Sequence, residues 1–204
     1  MEPEVRRNPF SMDEDCRNCD ELCETRTQVV HGYGDVTADV LFVGERPSAS
    51  ADDAGLPFAG SDDGLLDVLE RVGLCEPHTS GDPPLRNAYL TLLTRCRHPD
   101  RRPSDEELTH CEPFLDAELR MINPELIVPV GQRALEAVAA EYTTERVDAL
   151  DVRECHGERI RGRGFELVPL ADPTDDGTAL DQWVEAFDAI LESDYRQTKG
   201  RRRR

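Results

Sequence analysis

Lysine is nearly missing from this 204-residue chain: Lys199 is the sole one, so 23 of the 24 basic side chains are arginine. No apolar run approaches the length of a membrane span, and Met1 to Phe10 is charged rather than signal-like. Those two absences argue against a membrane-embedded or exported chain, and the expectation is a cytoplasmic protein. An even set of cysteines is lacking too. Seven is an odd number, in a chain too long for the small, disulfide-stapled class. No internal repeat is visible. Acid is what the chain has in abundance, with 43 Asp and Glu giving a net charge of −19. These acids are scattered along the whole chain. Such a surface suits concentrated salt, where a Debye length of ~3 Å at 1 M screens self-repulsion, and implies a halophilic setting.

A polyanion repels nucleic acid at moderate salt unless arginines are gathered locally. Two groups stand out: Arg95, Arg97, Arg101 and Arg102, then Arg159, Arg161 and Arg163. Each taken singly is more simply an exposed charge among neighbouring acids. Residues 195–204 end in Arg201 to Arg204 and read as a basic tail that can graze phosphates.

The sharpest local feature is Cys16-x-x-Cys19, joined in the middle of the chain by Cys96 and Cys111. Thiolates three residues apart can meet one metal centre, and two such contributions close a four-sulfur site. By spacing alone a structural zinc and an iron–sulfur cluster are equally open. Four unrelated buried thiols is the bland alternative, made less attractive by the tight first pair.

Residues 1–12 read as a disordered tail, 13–194 as one domain. Val40 to Val43, ended by Gly44, has the continuous apolar pattern of a buried parallel strand. Three more strands are expected near Ala88–Leu93, Leu126–Val130 and Phe165–Leu170. Between them lie helical signals: Ser61-Asp62-Asp63 as N-cap chemistry ahead of Leu65, Leu66, Val68, Leu69 and Val72, and Ser104 with Glu107 as a capping box. Gly131 precedes a helix with Ala134, Leu135 and Val138, and Leu180 to Leu191 forms a closing amphipathic helix. Alternating strands and helices predict an α/β fold: a three-layer α/β/α sandwich around a central, mostly parallel four-stranded sheet. Ligands of such sheets sit beyond the carboxyl ends of the strands, which directs attention to the segments after Val43, Leu92 and Leu170.

Several pieces in collinear order now carry a resemblance. They are Cys16-x-x-Cys19, Arg26-Thr27-Gln28-Val29-Val30, Gly44-Glu45-Arg46-Pro47, Gly55-Leu56-Pro57-Phe58-Ala59-Gly60, Cys96-Arg97 and Cys111-x-Pro113-Phe114-Leu115. Together they resemble the family-four uracil-DNA glycosylases from Cys16 to about Val138. The resemblance implies a 4Fe–4S cluster on Cys16, Cys19, Cys96 and Cys111, a DNA partner, and removal of uracil or another damaged base in base-excision repair. It implies Glu45 as the carboxylate that orients water and Phe58 as the aromatic that stacks on the extruded base, with Gly44 and Pro57 beside it. Without the resemblance, Glu45 would read as a loop acid and Phe58 as core. Cys23, Cys75 and Cys155 remain ordinary thiols, and His98-Pro99 belongs near the cluster rather than the pocket.

The same alignment of motifs shows two departures. Leu92 stands where family members carry the asparagine that reads the base, and Asp172 stands at the position of a base-facing histidine. Leucine cannot hydrogen-bond a pyrimidine edge. A carboxylate repels the negative charge growing on a leaving uracil, where losing one donor typically costs about 10²–10³ in rate. Three readings follow: a glycosylase with altered base preference, a catalytically weak iron–sulfur paralogue that binds nucleic acid or a repair partner, and a nucleotide-binding α/β protein with a structural metal.

Overall fold

The structure, a computed structural model, describes residues 5–60, 64–77, 81–174, 177–193 and 195. Its strands are β1 (Val5–Arg7), β2 (Tyr33–Asp35), β3 (Val40–Gly44), β4 (Ala88–Leu92), β5 (Leu126–Pro129), β6 (Ile160–Arg161) and β7 (Glu166–Leu167). Its α-helices are α1 (Asp20–Thr25), α2 (Ala49–Ala54), α3 (Leu65–Arg71), α4 (Asp105–Ile122), α5 (Gln132–Tyr142) and α6 (Gly177–Glu192). All seven strands join one sheet in the order β1-β2-β4-β3-β5-β7-β6.

The four expected strands form its parallel centre, β4-β3-β5-β7. Three short strands extend the prediction: β1 and β2 pair antiparallel on one edge and β6 on the other. The segment read as an N-terminal tail is thereby corrected from residue 5 onward, because Val5–Arg7 pairs with Tyr33–Asp35 and satisfies main-chain groups there. Every residue of β3, β4 and β5 is buried, as expected of strands covered on both faces. Two apolar cores lie on opposite sides of the sheet. Val40, Phe42, Leu90, Leu92 and Val128 face α3 and α6, while Leu41, Val43, Tyr89, Leu93 and Ile127 face α4 and α5. The three-layer sandwich follows from that alternation.

The helices obey local chemistry. Ser104 Oγ accepts from the Glu107 N–H at 3.2 Å and the Glu107 carboxylate accepts from the Ser104 N–H at 2.8 Å, completing the expected capping box. α4 runs on through Pro113. In α3 the cap is Gly64, whose φ is 63°; Ser61-Asp62-Asp63 lies outside the described residues. α2 was not expected inside a Gly/Pro loop. Ser48 caps it by accepting from Ala51 N–H at 3.1 Å, and Gly55 ends it with φ 65°. On α6, Trp183 stacks on Phe187 at 4.4 Å and donates to Pro169 O. Tyr195, placed in the basic tail by the sequence reading, is instead buried; its hydroxyl lies 3.4 Å from both Asp39 Oδ2 and Asn87 Nδ2. The remainder of that tail lies outside the described residues. No helix among the described residues is long and apolar enough to cross a membrane.

Candidate functional site: an arginine-lined cleft near four gathered cysteines

β3 lies at the centre of the parallel strands, with β4 on one side and β5 on the other, so the chain order reverses beside it. A cleft of about 620 Å³ opens there beyond the carboxyl ends of the strands. Its walls are Gly44–Ala49 after β3, Arg97 and Arg102 after β4, Val130–Arg133 after β5, Val152 and Arg153, and Asp172 and Pro173 after β7. Phe58 closes it from the side. Glu45, Gly44, Phe58 and Asp172 are therefore brought to one place, as the motifs implied.

Phe58 belongs to the core, 5 % exposed, and borders the cleft. Its φ is 59°, a left-handed conformation that a bulky residue adopts only when its surroundings insist. Gly44 explains the fit. A Cβ there would lie 2.6 Å from Phe58 Cζ and 2.9 Å from Leu92 Cδ2, so only glycine lets the ring lie against the strand end.

Leu92 and Pro57 are not on the cleft wall. Leu92 is 1 % exposed and packs beneath Phe58 in the apolar core, and Pro57 is buried. The expectation that they touch a ligand is corrected in that respect: the β4 pleat turns Leu92 inward. Asp172 is exposed, and its Oδ1 accepts from the Thr174 N–H at 3.0 Å and the Thr174 hydroxyl at 2.7 Å. Glu45 is half-buried, 3.8 Å from the Arg102 guanidinium, and its main-chain oxygen accepts from the Thr94 N–H at 3.0 Å.

The arginines divide sharply. Arg46, Arg97, Arg102, Arg133 and Arg153 line the cleft against two acids, Glu45 and Asp172, in a chain of net charge −19. Arg95, read as part of a surface patch, is instead 1 % exposed and bonds Glu118 at 2.7 Å in the interior. Arg101 pairs with Glu21 and Glu107, holding the Glu107 carboxyl down at about 2. Arg159 pairs with Glu166, and Arg163 lines a different surface hollow with Tyr142 and Phe165. Sequence reasoning missed Gln132, Arg133 and Arg153. The strand-end rule applied to β5 would have found the first two; Gln132 accepts from the Val152 N–H at 2.8 Å and donates to Leu150 O at 2.9 Å, drawing residues 150–153 to the rim.

Cys16, Cys19, Cys96 and Cys111 converge beside this cleft. Cys16 and Cys96 share a small core with Leu22 and Val29, and Cys19 and Phe114 pack against it. Burial pushes the Cys19 thiol up to about 12, with further contributions from Cys111, Cys96 and Cys16, so all four sulfurs feel one another. Burial likewise raises Cys96 to about 11, opposed by the Arg26 guanidinium, which donates to its Sγ at 3.1 Å. His110 Nδ1 lies 3.5 Å from Cys19 Sγ. Cys23 stays outside, its thiol donating to Cys16 O at 3.6 Å. Among the described residues, no group of three or more His, Cys, Asp or Glu could hold a metal ion as it stands.

Comparison with known proteins bears on this arrangement. Residues 31–180 match the family model of the uracil DNA glycosylase superfamily. A Type-4 uracil-DNA glycosylase of Pyrobaculum aerophilum is 34 % identical over 163 residues, covering 77 % of this chain and 78 % of the relative. One of Archaeoglobus fulgidus is 31 % identical over 154 residues, 74 % of this chain and 68 % of the relative. A Type-5 uracil-DNA glycosylase of Thermus thermophilus is 32 % identical over 151 residues, 62 % and 68 % respectively.

Proposed function

The chain belongs to the uracil-DNA glycosylase superfamily, and from that membership we propose that it is a DNA N-glycosylase of base-excision repair, hydrolysing the bond between a sugar and a damaged base turned out of DNA. The observation that carries the reading is the cleft: five arginines gathered around Glu45 and Phe58 in an otherwise acidic chain. Arg97, Arg102, Arg133 and Arg153 neutralise the phosphates flanking the target, which a polyanionic protein needs most. The extruded base stacks on Phe58. Glu45 holds a water against the sugar C1′ and takes its proton as the new C–O bond forms, while the C1′–N bond breaks and its electron pair leaves with the base.

Base preference rests on Asp172, which contributes acceptors at the cleft wall, so the cleft favours a base edge rich in N–H groups over the alternating edge of uracil.

The four cysteines fit a 4Fe–4S cluster. Zinc needs all four sulfurs at about 2.3 Å from one point, whereas a four-iron cage takes one thiolate at each corner. The gathering of three buried sulfurs and the half-buried Cys19, with a guanidinium donating to Cys96, supports that reading. When bound, the cluster cross-links the N-terminal segment to residues 96–111.

The test is a cleavage assay on single- and double-stranded oligonucleotides carrying uracil, hypoxanthine or xanthine, run in molar KCl. Release of at least one base, reduced about 10²–10⁴-fold by Glu45→Ala, is expected. Tight binding without release of any base by the parent protein would replace the enzyme with a nucleic-acid-binding paralogue.

A further inference from the structure

We propose that Arg46 is a positioning residue for the Glu45 carboxylate, a clamp locking the loop after β3 onto the cysteine-bearing segment that follows β4; this rests on the reading of Glu45 given above. The segment from Thr94 to Arg102 carries Cys96 and leads into the capping box of α4. The loop from Gly44 to Ser48 carries Glu45. Two main-chain bonds begin the seam between them: Leu93 N–H to Gly44 O at 2.8 Å and Thr94 N–H to Glu45 O at 3.0 Å. That ladder stops at Glu45.

Arg46 continues the seam with its side chain. Its Nη1 donates to His98 O at 2.9 Å and also to Arg101 O, so one guanidinium nitrogen grips both ends of the turn that follows Cys96. A guanidinium is a donor of fixed geometry that keeps its proton, which suits it to two carbonyls three residues apart. Beyond it, Pro47 is buried and Ser48 is committed to capping α2, so the loop is anchored on its far side as well. Glu45 is thus held before and after by contacts to the 94–101 segment, and Arg102 lies 3.8 Å from its carboxylate. The cysteine centre and the water-orienting acid share one rigid strip of chain.

Arg46 also lines the cleft, so a phosphate contact is the rival role, and the two differ in what they cost. Losing a phosphate contact weakens DNA binding. Losing a clamp leaves binding intact and misplaces the carboxylate, and a displacement near 1 Å can cost about 10²-fold in rate.

The experiment uses the cluster-loaded full chain prepared without oxygen, with Arg46→Ala and Arg46→Lys beside the parent. Single-turnover cleavage and DNA affinity are measured on the oligonucleotide the parent cleaves. Iron content and hydrogen exchange at the Leu93 and Thr94 amides are measured on the same preparations. For Arg46→Ala the expected result is a rate lowered about 10–100-fold with affinity changed less than about threefold. Iron content should equal that of the parent, and the Thr94 amide should exchange at least about tenfold faster. Arg46→Lys should recover part of both, since an ammonium still reaches a carbonyl. Unchanged rate and exchange would overturn the clamp. So would a loss residing wholly in DNA affinity, or one accompanied by loss of iron. If the parent releases no base, the exchange difference alone decides the clamp, and only the glycosylase reading falls.

Discussion

The two faces of β4 meet opposite environments. Leu90 and Leu92 enter the apolar core that holds Phe42 and Phe58. Tyr89 and Thr91, on the other face, end on Glu118 of α4: the Tyr89 hydroxyl donates to Oε1 at 3.1 Å, the Thr91 hydroxyl to Oε2 at 2.5 Å, and Arg95 completes the group at 2.7 Å. Glu118 lies two turns beyond Cys111 on α4, and Arg95 directly precedes Cys96. The strand's polar contacts therefore brace the elements that carry two of the four cysteines, while the face toward Phe58 and the cleft is hydrocarbon. The strand thus invests its hydrogen bonding on the cysteine side.

Breaking the ionic face should have the largest effect. Glu118→Ala leaves a guanidinium 1 % exposed without its partner, and removing one member of a buried pair costs about 3–5 kcal/mol. Urea unfolding should show that loss, and Arg95→Met with Glu118→Leu should recover most of it, because both charges then leave the interior. A smaller loss is expected on the apolar face. Leu92→Asn places an unmatched amide in the core beneath Phe58, at about 1–3 kcal/mol. Asp172→His, on the cleft wall, should by contrast raise uracil release above the parent's in the same oligonucleotide assay; no gain would mean that position 172 does not set base preference.

Acid titration compares the interior of α4 with its first turn. Hydrogen bonds from Arg101 hold the folded Glu107 carboxyl down at about 2, below the ordinary value it regains on unfolding. Its stabilisation is present at neutral pH and disappears as pH falls from the ordinary carboxylate range toward 2. Glu107→Gln should flatten that limb of the melting-temperature profile. The smallest expected effect is that of salt. Molar KCl should raise the melting temperature by screening the scattered acids, and it should not rescue Glu118→Ala, whose charge lies away from water.

Much of the architecture was legible because it depends on local pattern. The runs at 40–43 and 126–130 have no outlet but a covered strand, and Ser104 with Glu107 declared the start of α4. What escaped notice depends on partners distant along the chain. β1 and β2 have little apolar content and exist through pairing. α2 reads Ala-Ser-Ala-Asp-Asp-Ala, without a helical stripe, and is set by its two caps. Arg95 looks like its neighbours Arg97 and Arg101 in sequence; only Glu118, 23 residues on, shows that it is interior. The cleft was located from strand ends, but the wall of Val152 and Arg153 needed Gln132 to pull residues 150–153 over it, a tertiary contact with no local signature.

Tyr195 has a practical consequence. Its hydroxyl meets Asp39 and Asn87, residues that precede β3 and β4, so Tyr195 pins the chain just past α6 to the sheet's amino-terminal rim while the cleft opens at the other. The tyrosine ring is accordingly a built-in fluorescent reporter on the rim opposite the cleft, sensitive to loosening of α6 from the sheet.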